Sequence, residues 1–171
     1  MEFLEKDLEE IIFTSDRGAL YQAGLYVSGK MYRQLRIGEY GIADLVTFDR
    51  ERHFNKDKHY QHSITITVYE LKKDKINISA FLQALGYVKG IQRYLQIRNF
   101  NHTISFKIVL IGKRLSNDST FSYLPDFMNN NELLTLENYT YYLDIGGLSF
   151  LNECGYQQRN EGFSYGKTTK K

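Results

Sequence analysis

The chain has 171 residues and a mass of 20.1 kDa, with 42% hydrophobic residues and a formal net charge of only +2. This length fits one compact domain with a sizeable core and disfavours two full domains. The single cysteine, Cys154, excludes an intrachain disulfide and a multi-cysteine zinc site, and favours a reducing, cytoplasmic setting. No apolar stretch approaches the roughly 20 residues that cross a bilayer, so we expect no membrane association.

The first half of the chain predicts a helix and a β-hairpin. Residues 2–14 carry apolar side chains at helical spacing, which indicates an amphipathic helix. Residues 31–37 and 42–48 are typical of two strands, and the two glycines in residues 38–41 indicate the turn between them. The intervening segment, through Gly29, is ambiguous.

A polar loop, a strand and a long helix follow. Residues 50–62 are charged and predict a loop, whereas residues 64–71 are rich in β-branched side chains and form the clearest strand of the chain. Apolar residues then recur at helical spacing through about residue 97, with Asn77 or Ser79 as the N-cap.

The next apolar strand, residues 104–111, is expected to lie parallel to the strand before the helix, because such crossovers are right-handed. Residues 139–151 predict a second hairpin that turns at two consecutive glycines. The predicted fold class is therefore α/β, with an α-β-β-β-α-β core over residues 1–115 and a mixed central sheet flanked by helices. Residues 116–171 form a β-rich C-terminal extension and a polar tail of the same domain.

Charged residues interrupt the apolar rows of two neighbouring strands. Glu70 and Lys72 alternate in line with Ile64, Ile66 and Val68, and Asp44 continues the row of the preceding strand. Because a buried charge is costly unless it is paired or binds a metal, this pattern indicates a functional site. The alternative is an ordinary ion pair at the end of a strand and a surface aspartate.

Two carboxylates from adjacent strands are the hard oxygen ligands that Mg²⁺ uses with phosphate substrates. A lysine two residues after the second carboxylate lies beside the same pocket. There it could orient or help to deprotonate an attacking water and stabilise the charge of the transition state.

The order of elements and these residues resemble the PD-(D/E)XK nuclease superfamily. The matching pieces are the strand of Asp44 and the Glu70-Leu71-Lys72 tripeptide, although Ala43 replaces the proline of the motif. The helical Gln83-Ala84-Leu85-Gly86-Tyr87 is similar to the Q-x-x-x-Y signature of the RecB-like and mismatch-endonuclease branches. The resemblance covers residues 2–112 and implies a restriction-endonuclease-like core.

The resemblance also implies the role of each residue. Asp44 and Glu70 would bind Mg²⁺ or Mn²⁺, with the backbone carbonyl of Leu71 completing the coordination, and Lys72 would assist the water. Gln83 and Tyr87 would line the site. A further acidic ligand is expected on the first helix, where the resemblance favours Glu9 and the position of the apolar stripe favours Glu5. We choose Glu9.

The predicted function is that of a metal-dependent DNA endonuclease that hydrolyses phosphodiester bonds with a metal-activated water. An alternative keeps the fold but makes it a catalytically vestigial module that binds nucleic acid or protein within a larger complex. A homodimer or a nucleic-acid-processing assembly is a further possible context. The intact Asp44, Glu70 and Lys72 favour the enzyme.

Overall fold

A six-stranded mixed β-sheet forms the centre of the protein in the computed structural model, which describes residues 4–54, 60–98, 102–117, 121, 123–130 and 133–153. In chain order the elements of these residues are α1 (Glu5–Thr14), α2 (Arg17–Gln22), β1 (Lys30–Arg36), a 3₁₀ turn (Gly38–Tyr40), β2 (Ile42–Phe54), β3 (Tyr60–Leu71), β4 (Lys75–Ile76), α3 (Ile78–Ile97), β5 (Thr103–Gly112), β6 (Arg114–Leu115), α4 (Leu124–Met128), β7 (Leu134–Asp144) and β8 (Gly147–Asn152).

The strand order in the large sheet is β1-β2-β3-β5-β7-β8. Strands β3, β5 and β7 run parallel, and the remaining neighbours pair antiparallel. The predicted crossover is confirmed, since α3 connects the parallel strands β3 and β5. The α/β class and the mixed central sheet flanked by helices are confirmed with it.

The prediction of a loop over residues 50–62 was wrong in its extent. Strands β2 and β3 continue to pair out to Phe54 opposite Tyr60. The charged side chains in this region, such as Arg50 and Arg52, are exposed at the far end of the hairpin. A charged strand end therefore has the composition of a loop, although its backbone still has a ladder partner.

Several short elements had no signal in the sequence. Helix α2 occupies the ambiguous stretch before β1, where the side chain of Asp16 accepts hydrogen bonds from the first turn. Strands β4 and β6 are two residues each and pair with one another in a small separate sheet. Elements of this length depend on tertiary contacts, because they are too short to show a period.

Each face of the sheet carries its own apolar core. On one face α1 and α2 cover a cluster that includes Leu8, Leu45 and Tyr69, and on the other α3 covers a cluster that includes Val46 and Ile66. Helix α3 begins at Asn77, whose side chain accepts a hydrogen bond from the backbone N–H of Ala80 at 3.1 Å. Of the two N-caps considered, the structure therefore has Asn77.

The C-terminal hairpin belongs to the same sheet as the rest of the fold. Strand β7 pairs with β5, and β8 pairs with β7 through a two-residue turn at Ile145 and Gly146. The turn was predicted one residue later, at Gly146 and Gly147, but Gly147 already pairs with Asp144 as the first residue of β8. Cys154 and the polar tail lie outside the described residues. No helix in the described ranges has both the length and the apolar character that a membrane crossing requires.

Candidate functional site

Strand β2 separates from β3 at Asp44. The last backbone pair of this ladder on the Asp44 side is Leu45 with Tyr69. One step further, the backbone N–H of Leu71 donates to the Asp44 carboxylate, with 2.9 Å between N and Oδ2. The side chain of Asp44 thus takes the place of a ladder carbonyl and is held at the point where the two strands part.

The backbone of β1 is distorted opposite the same residue. In the β1–β2 ladder Arg33 pairs with Leu45 and Leu35 pairs with Ala43, so Gln34 falls between these pairs at the level of Asp44. Gln34 has a φ of 50°, which is rare for a residue other than glycine. On β2, Ala43 packs with the α3 core but Leu45 packs with the α1 core. Residues two apart on a regular strand share a face, so β2 turns over at Asp44.

This turn interrupts the apolar row that the sequence predicts. Val46 lies in the α3 core as expected, but Ile42, on the other side of Asp44, is 47% exposed. The carboxylate therefore stands at the edge of the α3 core, which is a more accessible place than the middle of a buried row.

Four of the predicted side chains form a continuous hydrogen-bonded chain. The Lys72 ammonium lies 2.6 Å from Glu70 Oε1 and 3.4 Å from Gln83 Oε1. The Gln83 amide in turn donates to the Tyr87 hydroxyl at 2.8 Å. This chain connects β3 to α3, because Gln83 and Tyr87 are one helical turn apart and face the same way.

Tyr87 also fixes the start of β2. A side chain at Gly41 would have its Cβ 3.3 Å from the Tyr87 ring, and Gly41 has a φ of 110°. Both the close approach and the backbone angle call for glycine at this position. The ring of Tyr87 thus holds the turn that leads to Asp44.

Glu70 is buried, and one of its carboxylate oxygens has no partner. Its side chain is 1% exposed, Oε1 accepts from Lys72, and Oε2 has no hydrogen bond. Burial raises the pKa of Glu70 to about 7; the hydrogen bond from Lys72 opposes the shift, and the charge of Asp44 adds to it. A buried oxygen without a donor costs stability, so this oxygen is the one in the site that a water or a ligand could complete.

The neighbouring groups respond to the same environment. Burial raises the pKa of Asp44, while the Leu71 N–H and the Lys72 charge counteract part of the rise. Burial works to lower the pKa of Lys72, but the hydrogen bond to Glu70 and the surrounding carboxylates outweigh it, so the net shift is upward. Near neutral pH the lysine is therefore charged.

The first helix brings two carboxylates to this end of the sheet, and they differ in what they bind. Glu9 is buried, with one oxygen accepting from Arg33 and the other from Gln34. Glu5 is exposed and accepts from the backbone N–H of Lys73 at 2.9 Å. Both carboxylates raise the pKa of Asp44, and Glu5 also raises that of Glu70. The choice of Glu9 over Glu5 as a ligand stays a prediction, and the two hydrogen bonds that Glu9 already accepts weigh against it.

The segment that carries Lys72 is held through its main chain. The Lys72 N–H donates to the Ile111 carbonyl at 2.8 Å, and the Lys73 carbonyl accepts from the Tyr141 hydroxyl at 2.6 Å. The Asp74 carbonyl accepts from the backbone of Arg114 at 3.0 Å. The base of the Lys72 side chain is therefore fixed by β5, β7 and β6.

Sequence reasoning identified the residues of the hydrogen-bonded chain but missed those that support it. Gln34 and Arg33 hold Glu9, and Tyr141 holds the backbone after β3. Each of them occupies an unremarkable position on a strand. Only the tertiary register of β1 and β7 brings them to the site, so no local signal could have identified them.

The carboxylate oxygens of Asp44 and Glu70 suit a small divalent cation whose other coordination positions are filled by waters and substrate. Among the described residues, no group of three or more His, Cys, Asp and Glu side chains could hold a metal. Mg²⁺ commonly binds one or two carboxylates together with substrate phosphates, so Asp44 and Glu70 are sufficient in kind. The partnerless Oε2 of Glu70 is the oxygen that fits this role best. The predicted ligation by the Leu71 carbonyl stays a prediction.

Comparison of the chain with protein-family models, with curated proteins and with solved structures finds no match. The geometry of the site is therefore the basis of any functional assignment. That geometry is a pair of carboxylates at the separating ends of two strands, next to a charged lysine that is bonded to one of them.

Proposed function

We propose that the protein is a Mg²⁺- or Mn²⁺-dependent DNA endonuclease with a restriction-endonuclease-like core. The observation that carries this proposal is the buried Glu70 carboxylate, which has one oxygen on Lys72 and the other without a partner, next to Asp44. An ion pair with a purely structural role is most stable when all of its buried oxygens accept hydrogen bonds. A carboxylate that binds a cation instead needs an oxygen that no other group occupies.

In this proposal Asp44 and Glu70 hold the cation through one carboxylate each. When bound, such an ion lowers the pKa of a water molecule and neutralises charge on a phosphate. The Lys72 ammonium, within 2.6 Å of Glu70, supplies a donor where negative charge develops on the phosphate. Gln83 and Tyr87 hold Lys72 in place from the side of α3.

The partner in this proposal is DNA, and the setting is the cytoplasm. A homodimer or a larger nucleic-acid-processing complex would supply further contacts, because a net charge of +2 gives the chain little general attraction for a polyanion. Substrate recognition would then depend on the local distribution of the basic residues.

One observation favours a second candidate, a vestigial nuclease-fold module that only binds nucleic acid or protein. Within the described part of the chain, no third acidic or histidine side chain joins Asp44 and Glu70 in a metal-binding group. A module of this kind could keep the Lys72–Glu70 ion pair as part of its fold.

Cleavage assays with the purified chain decide between the two. Supercoiled, linear, branched and single-stranded DNA are incubated with Mg²⁺, Mn²⁺, Ca²⁺ or a chelator, beside the Glu70→Gln variant as a matched control. We expect cleavage with Mg²⁺ or Mn²⁺ alone and none by the variant, because hydrolysis requires tight coordination geometry. Absence of cleavage on all four substrates would favour the vestigial module.

A further inference from the structure

A groove lies between the C-terminal half of α3 and the β1–β2 hairpin, on the α3 face of the sheet. Its volume is about 750 Å³. Phe48 of β2 lines one wall, and Tyr94 and Ile97 of α3 line the other. The residues at its floor, such as Ile37 and Ile91, belong to the buried core, so the groove is a preformed part of the fold.

Exposed aromatic rings lie on the α3 wall of the groove and beside its β2 wall. Tyr94 is 56% exposed, and Tyr32, which packs edge-on against Phe48 with 5.5 Å between ring centroids, is 38% exposed. Each tyrosine has a cation at its ring. Lys30 lies 5.2 Å from the centroid of Tyr32, and Arg98 lies 5.1 Å from that of Tyr94. Exposed rings next to basic side chains form a surface on which a base can stack while its phosphates meet the cations.

The charge of this face is positive. Arg36 and Arg93 line the groove, where the carboxylate of Glu39 lies 3.3 Å from Arg93. Arg50 and Arg52 continue on the same face, since Arg50 pairs with Ile64, which packs against the α3 core. Helix α3 itself contains no acidic residue.

The opposite face of the sheet has the reverse character. Helix α1 exposes Glu5, Asp7 and Glu10 and has Lys6 as its one basic residue. Acidic side chains therefore predominate on the exposed face of α1, where Arg33 pairs with Glu9 and Glu10, and basic ones predominate around the groove. A polyanion would be attracted to the groove more than to α1.

We propose that the groove binds a single-stranded stretch of nucleic acid, with bases stacked on Tyr32 and Tyr94 and phosphates along the basic side chains. The assignment rests on the proposed function for the identity of the polymer and defines the substrate class, DNA with an unpaired strand. A positively charged groove with exposed aromatic rings is the common design of single-strand binding.

Two features favour a single strand over a duplex. Phosphate contacts need only cations, whereas exposed rings contribute when bases are free to leave the stack. Phe48 lies four residues from Asp44 on β2, about 13 Å at 3.3 Å per residue. A strand that is held in the groove is therefore a few nucleotides from the candidate site.

Fluorescence anisotropy in chelator tests this proposal separately from cleavage. The probe is a labelled oligothymidylate of about 12 nucleotides, within the site sizes that single-strand-binding surfaces use. An unlabelled duplex of equal length serves as competitor. We expect the single strand to bind and the duplex to compete poorly. Equal competition by the duplex would overturn the proposal.

Variants of the tyrosines locate the binding surface. Tyr94→Ala should weaken binding about 5- to 150-fold, the range for the loss of one base–aromatic stack. Tyr94→Phe should retain affinity because the ring remains. Tyr21→Ala, which removes a 68% exposed ring from α2 on the other face, is the matched control and should have no effect. Equal affinity of Tyr94→Ala and Tyr21→Ala would place any binding elsewhere.

The salt dependence of oligonucleotide binding tests the role of the basic residues. Replacing Arg50 and Arg52 together by Gln should reduce the slope of log K against log salt by about 1.4, since each phosphate contact on a single strand contributes about 0.7. Lys6→Gln on α1 should leave the slope unchanged. An unchanged slope in the double variant would remove these arginines from the surface. Binding in chelator without any cleavage in Mn²⁺ would leave this proposal standing and contradict the endonuclease alone.

Discussion

Two buried glutamates lie at the same end of the sheet, and their surroundings are opposite. Glu9 is 6% exposed and both of its oxygens accept hydrogen bonds, from Arg33 and from Gln34. Glu70 is 1% exposed and has Lys72 on one oxygen and nothing on the other. The first carboxylate is fully satisfied by the fold, whereas the second is not.

The difference teaches how to separate a structural charge from a functional one. A buried charge with all of its partners is compatible with stability, while an unsatisfied one lowers it and persists at sites where a ligand completes the set. The two glutamates are similar in burial. They differ in whether each carboxylate oxygen accepts a hydrogen bond.

The sharpest test of the Glu70 site is removal of its lysine. We expect Lys72→Ala to lower turnover by about 10² to 10³, the usual cost of losing one donor to a developing negative charge. Binding of Mn²⁺, followed by calorimetry, should persist because the lysine is no ligand. Loss of Mn²⁺ binding in this variant would contradict the role that we assign to Lys72.

The pH dependence of the free energy of unfolding, measured in chelator, should show how much the ionised Glu70 carboxylate destabilises the folded protein. Its pKa in the folded protein is about 7 against 4.5 for the ordinary group, so protonation favours the folded state. This contribution is complete below pH 4.5 and is lost as the pH rises through 7. At about 1.4 kcal/mol per pKa unit, the loss is at most about 3.5 kcal/mol.

Glu70→Gln is the matched variant for that measurement. It should be more stable than the parent protein in chelator at pH 8, and the advantage should disappear near pH 4.5. Denaturant unfolding at the two pH values measures both quantities. A variant that is less stable at pH 8 would mean that the ionised carboxylate is satisfied, as in the case of Glu9.

Added Mn²⁺ should distinguish ligands from non-ligands. At a hundred times Kd a cation that binds only the folded state stabilises it by about 2.7 kcal/mol, or roughly 5 to 10 °C in Tm for a chain of this size. Asp44→Asn should lose this shift, although its side chain can still accept from the Leu71 N–H. Thermal melts with and without Mn²⁺ provide the readout.

Glu9→Gln belongs in the same experiment. Because both oxygens of Glu9 already have partners, we expect the variant to keep the Mn²⁺ shift. Loss of the shift would instead make Glu9 a ligand, as the resemblance to the nuclease superfamily implies. Equal shifts in the parent, Asp44→Asn and Glu9→Gln would remove both residues from the site.

The smallest expected effect is on the stability of the Glu9 cluster itself. In chelator, Glu9→Gln should destabilise the protein by about 1 to 3 kcal/mol, because an amide nitrogen would face one of the donors on Arg33 and Gln34. Denaturant unfolding at pH 7 gives the sign, which is opposite to that expected for Glu70→Gln. A neutral or stabilising result would show that the two glutamates do not differ in the proposed way.

Much of the fold could be predicted because local pattern and tertiary structure agree. The apolar period of α3 and the β-branched residues of β3 each indicate one element, and the two consecutive glycines indicate the hairpin of β7 and β8; each of these is present. The failure lies at residues 50–54 and 60–62, where the sequence is mostly polar or charged but the backbone pairs across a long hairpin. Backbone pairing leaves no mark on composition.

Only part of the candidate site could be predicted from the sequence, again because some of its features depend on how strands pair. Asp44, Glu70 and Lys72 stand out because charge interrupts an apolar alternation, and that signal is local. The positive φ of Gln34 and the turn of β2 at Asp44 arise from how two strands meet. Such features depend on the register between paired strands, and no single segment of the sequence determines that register.

The main-chain anchoring of the turn after β3 has a consequence for sequence variation. Backbone atoms of Lys72, Lys73 and Asp74 make the hydrogen bonds that hold this turn to Ile111, Tyr141 and other neighbours. Any residue except proline brings the same N–H and C=O groups to these bonds. Substitutions at positions 73 to 75 can therefore leave the base of the Lys72 side chain in place, although a change at Asp74 also removes its exposed ion pair with Arg114. This freedom allows the surface beside the site to diversify.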